Sequence, residues 1–448
     1  MTVKDNTFIA GLRHAWVWVV LAMITLASCR DAKEDRIEAN VTLYPAIARN
    51  METVIDTRAT VTVTGATEGT TYEDNPTLNG LADGITIMAY ATPTESGYLT
   101  AEHQLAGTFR YSGNRWSSSV TATTNHNYNL YAITPTTLPG ATNLTFNWGV
   151  ANSSFSANTV ALTFSGLDLV TFSDPMISIA ATGKHVVIDN GVEKEVVTEA
   201  TQSQPAVLRN LTAPTLTKGS YSLGKVIMPI AGDETEMFKV WMAMDHLYAK
   251  ATVYISVDAK YNNVRTIRLK SAKIVFDKGE RHISGNHSYS FATSTLNFAS
   301  GAQIGAGSED RDLEIDLMRG TTAVDNFDDD PNYVILTPPE GEVVGEEVYK
   351  DFAWFCFLPQ SSLPQGETFP DARLVVQYDV YDKEEHLVRA DQTAQNIISL
   401  SEFYREDFVD YIPKPGDHVK IKILVKPSFL YKLIDDDATM ELEIQELQ

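Results

Sequence analysis

Short runs in which apolar and polar residues alternate recur along most of the chain. "ATVTVTG", "GITIMAYA", "NYNLYAI", "TVALTF", "KATVYISVDA", "RLVVQYDVYD" and "VKIKILVKP" each place every second side chain on one face, as a half-buried strand does. Gly, Asn, Pro and Ser punctuate the runs, and no long segment keeps a helical period. In "VVIDNGVEKEVV", Asn190 and Gly191 separate two strand-like halves. This predicts a tight hairpin, because both turn residues tolerate positive φ. The fold class expected is all-β, built of antiparallel sandwiches or barrels.

The first apolar stretch is of another kind. Ala15–Ser28 is uncharged, follows Lys4 and Arg13, and ends in small residues. A spanning helix needs about 20 apolar residues, so residues 1–28 read as a cleaved export signal. Leu26, Ala27 and Ser28 before Cys29 resemble the lipobox of bacterial lipoproteins. That resemblance implies a diacylglycerol on the Cys29 thiol, cleavage before it and acylation of the new amine. Acyl chains anchor through about 0.8 kcal/mol per buried methylene. The plain alternative is a short hydrophobic helix with an incidental cysteine. Lys33, Glu34 and Asp35 resemble the acidic signal that sends Bacteroidetes lipoproteins to the outer face of the outer membrane, and a simple charged tether would look the same.

Composition changes the picture in three respects. A chain of 448 residues has room for two cores. Its formal net charge of -23 argues against nucleic acid and against flat docking on anionic lipid. Its two cysteines cannot make a disulfide framework, and Cys356, inside "FAWFCFLP", reads as a buried inert thiol. "NFASGAQIGAGSEDRDLE", Asn297–Glu314, is rich in Gly, Ser and Ala and ends in charges. Taken as a linker, it divides the chain into a tether and propeptide at 29–58, a first sandwich at 59–300 and a second at 301–448. A cut at "KGSYSLG", Lys218–Gly224, is the alternative.

Catalytic signatures are absent. There is no His-Glu-x-x-His, no Gly-x-Ser-x-Gly and no P-loop, so an enzyme is not expected and no catalytic residue, cofactor or metal ligand is assigned. His282 and His287 lack a third ligand nearby. The acidic runs Asp325–Asn332 and Asp435–Asp437 read as solvated loops, without the spacing of a calcium loop. Among the tryptophans, Trp241 and Trp354 sit in apolar runs and read as core, whereas Trp116, in "YSGNRWSSS", is expected to be exposed.

Three stretches together resemble one family. Met242–Ile274, around His246, Leu247, Tyr248, Ala249 and Lys250, resembles the His-containing strand of the Bacteroidetes fimbrillins, the lipoprotein pilins of that phylum. Arg373–Leu400 resembles their Tyr-Asp-Val-Tyr-Asp strand and the strand after it. Gly416–Ala438 is similar to their Val-Lys-Pro-x-x-Leu-Tyr-x-Leu terminal strand. The core of the His motif differs from the family's His-Ala-Leu-Ser-Lys, and Ile434–Asp436 stands where members often have Ser-Asp-Pro. The resemblance implies two transthyretin-like antiparallel β-sandwich domains after a lipoprotein signal peptide. It also implies a pilus on the outer membrane, built with other pilin subunits as a homo- or heteropolymer. A trypsin-like, Arg-specific protease would remove a first strand and open a groove for a strand of the next subunit.

The residues can be read for that mechanism directly. "ANVTLYPAIARNMETVIDTRATVTV" offers a first strand, then Arg49, then Arg58 before a new strand. Arg58 is favoured as the cleavage site, and an anchor subunit that keeps its strand would fit the same residues. "TMELEIQELQ" puts Met440, Leu442 and Ile444 on one face of a candidate donor strand, residues 438–448. An ordinary edge strand of its own domain is the alternative. The competing function is a surface glycan-binding lipoprotein of a carbohydrate-uptake system, with Trp116 as its one candidate stacking ring.

Overall fold

The computed structural model describes residues 36–49, 63–64, 71–74, 86–427 and 442–447. Within 86–427 it leaves out 96–104, 113–114, 124–125, 152–153, 199–203, 227–237, 258–263, 277–280, 306–312, 318–333, 337–352, 399, 401–402 and 406–407. The principal strands in chain order begin with β1 (Arg36–Arg49), β2 (Thr86–Pro93), β3 (Leu105–Ser112), β4 (Arg115–Thr123) and β5 (Asn127–Thr134). Next come β6 (Thr142–Ala151), β7 (Ser154–Asp168), β8 (Val170–Thr171), β9 (Met176–Asp189), β10 (Val192–Thr198) and β11 (Val207–Asn210). They continue with β12 (Phe238–His246), β13 (Ala249–Val257), β14 (Thr266–Phe276) and β15 (His282–Ser290). The last are β16 (Ala353–Phe357), β17 (Ala372–Tyr381), β18 (Leu387–Ile398), β19 (His418–Pro427) and β20 (Leu442–Leu447). No α-helix occurs among the described residues, so the chain is all-β.

Backbone pairing divides the strands into two layered units. In the first, β5, β2, β3, β4, β1, β12 and β9 form a circuit that closes where Met176 and Ile177 of β9 pair with Thr134 and Ile133 of β5. A sheet of β6, β7 and β15 covers it. Aromatic rings fill the space between, with Tyr131 4.5 Å from Tyr221 and 4.7 Å from Phe291, and Tyr90 stacked on Phe146 at 4.7 Å. Rings of this size bury the most apolar area per residue, which is how a thin sandwich gains its core. Burial pushes the Tyr131 hydroxyl up to about 12, against the hydrogen bond from Asn129.

The second unit packs β8–β16–β13–β19–β20 against β14–β17–β18, with Phe276, Phe357 and Phe369 meeting between them. Pairing does not follow a cut at residue 300. β13 and β14 pair with strands beyond it, and β15 pairs back with β7. The Gly- and Ser-rich linker does join strands of different units, Gln303–Gly305 and Leu313–Asp316. It is the last such crossing; the earlier ones, at Leu169, at 172–175, at Leu247–Tyr248 and between β14 and β15, span few residues, and composition alone does not mark them.

The hairpin expected at Asn190–Gly191 is present. Their φ values are 53° and 78°, and Asp189 pairs with Val192. It lengthens β9 into a three-stranded arm, β9–β10–β11, that leaves the circuit. Glu195 locks the arm, taking 2.8 Å and 2.6 Å contacts from Lys184 and Arg209. The Arg209 hydrogen bonds hold its carboxyl below the usual range despite burial.

Candidate functional site

The first strand has a buried seat. β1 is an inner strand, antiparallel to β4 on one side and parallel to β12 on the other. The alternation "NVTL" puts Val41 and Leu43 inward, each 1% exposed, and Leu43 lies opposite Trp116. Trp116 is fully buried, 5.7 Å from Tyr111, which corrects the expectation that it is exposed. The reason is the pleat: in a strand with small polar neighbours a single large ring suffices to fill the inward position. The glycan-binding reading loses its only candidate ring.

Pro45 lies within β1, paired in register with Met242 of β12. Proline has no N–H to give, so an inner strand carrying it makes a poorer ladder than its neighbours do. The last residues of β1, Ala46–Arg49, are paired with Thr71–Asp74. Arg49 is thus held in a ladder opposite Thr71, whereas Arg58 lies outside the described residues. Withdrawal of β1 would open the circuit between β4 and β12, exposing two rows of backbone groups and the inward faces that Val41 and Leu43 cover.

The C-terminal candidate is placed in its own chain. β20 pairs antiparallel with β19, Ile444 opposite Val425 and Leu442 opposite Pro427, and it forms the edge of its sheet. Met440 and Cys29 lie outside the described residues, as do both acidic runs. The alternating segment is thus an edge strand here, with one backbone side paired.

Between the units sits the segment that carried the His motif. The His246 Nδ1 is 2.7 Å from Asp174 Oδ1. The Leu247 N–H donates to the Pro175 carbonyl at 2.9 Å, and the Tyr248 hydroxyl donates to the Asp168 carbonyl. The Gly416 and Lys250 amides tie in the loop before β19, at 2.9 Å and 2.8 Å. Cys356 is buried here, and burial pushes its thiol well up, as expected for an inert group. The sequence does not announce Asp174 as the partner of His246, because it is remote along the chain and lies in no motif.

His282 and His287 do not form a metal pair. His282 contacts Asp168 at 3.0 Å, while His287 is wedged between Phe164 and Phe298, and burial lowers its pKa. Asp382, Glu384 and His386 bring donor atoms within 4.8 Å of one another at the exposed β17–β18 turn. Their hydrogen bonds are those of the turn itself, with Asp382 Oδ1 accepting from the Glu384 and His386 amides. Among the described residues no helix is long and apolar enough to cross a membrane.

No family model and no curated protein matches the chain. Solved structures similar to it include a fimbrial protein from Bacteroides vulgatus, at 13% identity and TM-score 0.34, covering 86% of this chain and 99% of that one. Another is the fimbrial anchor protein Mfa2 from Porphyromonas gingivalis, at 10% identity and TM-score 0.25, covering 91% and 98%. Likeness at this level leaves function to be argued from the chain itself.

Proposed function

We propose that the chain is a non-enzymatic structural or adhesive subunit of a cell-surface pilus, lipid-anchored in the outer membrane through Cys29 and assembled by protease-triggered strand exchange. The observation that carries this reading is the seat of β1. An inner strand with two buried apolar residues and a ladder-weakening proline ends at Arg49 and is followed in sequence by Arg58. Cleavage after Arg58 leaves β1 held only by noncovalent contacts, and a strand donated by another subunit can then occupy the same seat, satisfying the same ladders. The parallel neighbour β12 and antiparallel neighbour β4 offer their ladders to a strand of the same direction with apolar residues at alternate positions. Residues 438–448 have that pattern in sequence, and Leu442–Leu447, at a sheet edge, have one ladder, that with β19, to break.

The resemblance of Met242–Ile274, Arg373–Leu400 and Gly416–Ala438 to fimbrillins supports the same reading. Intact mass and N-terminal sequencing of the protein from its native membrane test it. Polymer subunits beginning at Ala59, with an acylated Cys29 on their precursor, are expected. Subunits that all begin at Cys29 in an assembled fibre would overturn the strand-exchange step.

A further inference from the structure

The first unit is open between its two layers, toward the end turned away from the second unit. β5 reaches the junction at Thr134, which pairs with Met176, and β7 reaches it at Asp168, whose carbonyl holds the Tyr248 hydroxyl. Asn129, toward the other end of β5, and Ala157 and Asn158, near the start of β7, therefore lie on the far side. Between them is a cleft of about 280 Å³, walled also by Gly219, Ser220 and Tyr221. Its floor includes the buried Tyr131, whose ring is 4.5 Å from Tyr221 and 4.7 Å from Phe291. The walls are fixed before anything enters. The Gly219 amide donates to the Ile179 carbonyl, and the Ala181 amide donates to the Ser220 carbonyl, both at 2.8 Å. The Tyr221 hydroxyl donates to the Phe291 carbonyl at 2.8 Å, which ties this wall to the end of β15 in the covering sheet. A cleft held in this way loses little freedom on binding.

We propose that this cleft binds a single neutral sugar ring. The lining selects the guest. Charged residues make up 21% of the chain, yet none lines the cleft. An anion or an ammonium group would enter it without a counter-charge and lose its hydration. A wholly apolar guest would strip water from the polar groups and return no hydrogen bonds. Those groups both give and accept. Asn129 Nδ2 donates to the Tyr131 hydroxyl at 3.3 Å, which leaves the tyrosine proton to give and Asn129 Oδ1 to accept. Burial keeps that proton in place, pushing the Tyr131 hydroxyl up to about 12. Among the described residues the side chains of Asn158 and Ser220 have no hydrogen-bond partner, so an amide and a hydroxyl are available as well. A pyranose offers the complement, hydroxyls that give and accept around a ring of C–H groups, against amides and hydroxyls around an aromatic floor. The volume lies just under the ~300–1,000 Å³ of sites for drug-sized ligands, which suits one ring and not an extended chain. Recognition here is by a lined cleft, and not by an exposed stacking ring. The inference stands on the cleft alone and is independent of strand exchange.

Saturation-transfer NMR and calorimetric titration of the full chain with the methyl glycosides of glucose, galactose and mannose test this. Binding of at least one is expected, with a dissociation constant of about 1 to 10 mM, the range for a small ligand held by a few hydrogen bonds. The uronic acid counterpart of the sugar that binds should bind about tenfold more weakly or worse. Ala157→Trp, at an exposed position, should fill the mouth and abolish binding with the melting temperature unchanged. Asn158→Ala, also exposed, should weaken binding about fivefold, and it serves if the larger substitution melts early. Four results would each overturn the proposal: no binding of any of the three sugars at about tenfold above that range, undiminished binding in both variants, a uronic acid that binds as well as the neutral sugar, or tighter binding of N-acetylglycinamide, a neutral peptide unit. None of them bears on the exchange of β1.

Discussion

His246 Nδ1 lies 2.7 Å from Asp174 Oδ1, joining the end of β12 to the segment between β8 and β9 at the seam of the two units. Burial alone would lower the histidine's pKa. The charge and hydrogen bond of Asp174, with Asp245 nearby, outweigh burial and the opposing charge of Lys250, so it is raised. A group whose folded pKa is raised gives its full stability below its unfolded value, about 6.5 for histidine, and loses it as pH climbs through the folded value. His246→Gln is therefore expected to lower the melting temperature clearly at pH 5.5 and much less at pH 9. Charge-assisted hydrogen bonds of this kind contribute roughly 1.5 to 3 kcal/mol. Equal losses at both pH values, by calorimetry, would show that the imidazolium is not involved.

Leu43 and Trp116 face each other inside the first unit. Leu43→Ala removes buried methyl groups and leaves a cavity, which costs about 2 to 5 kcal/mol. Chemical denaturation of the uncleaved chain should show that loss. A loss under about 0.5 kcal/mol would mean that β1 contributes little to the fold.

Much of this was legible before the structure. Alternation in "KATVYISVDA", "RLVVQYDVYD" and "VKIKILVKP" marked β13, β17 and β19, because a pleated strand with one buried face writes its period into the sequence. The Asn190–Gly191 turn was legible for a local reason, since few other residues accept its φ values. Partnership was not. Nothing in β1 says that its neighbours are β4 and β12, which lie far along the chain, and nothing at Leu247 announces a crossing between units. Trp116 misled because its flanking serines, which report solvent on one face, say nothing about the other.

Arg58→Ala should block cleavage of the folded chain by an arginine-specific protease, whereas Arg49→Ala should not. Arg49 is held in the ladder with Thr71, and proteases need an unpaired, extended segment. Mass spectrometry of timed digests distinguishes them, and early cleavage after Arg49 would contradict the pairing.

Cys29→Ala should move the protein from the detergent phase to the aqueous phase on Triton X-114 partition, since no hydrophobic anchor other than the acyl chains is expected after signal cleavage. Retention in the detergent phase would remove the lipoprotein reading.

The central claim, that β1 is a replaceable strand, is tested most directly by native mass spectrometry. The chain is first cleaved after Arg58 and then mixed with an excess of synthetic peptide spanning residues 438–448. The β1 fragment is expected to stay bound at first and then to be exchanged, one for one, for the peptide, with the rest of the chain remaining folded. Release of the fragment without uptake of peptide, or a fragment that never leaves while the peptide stays free, would contradict it.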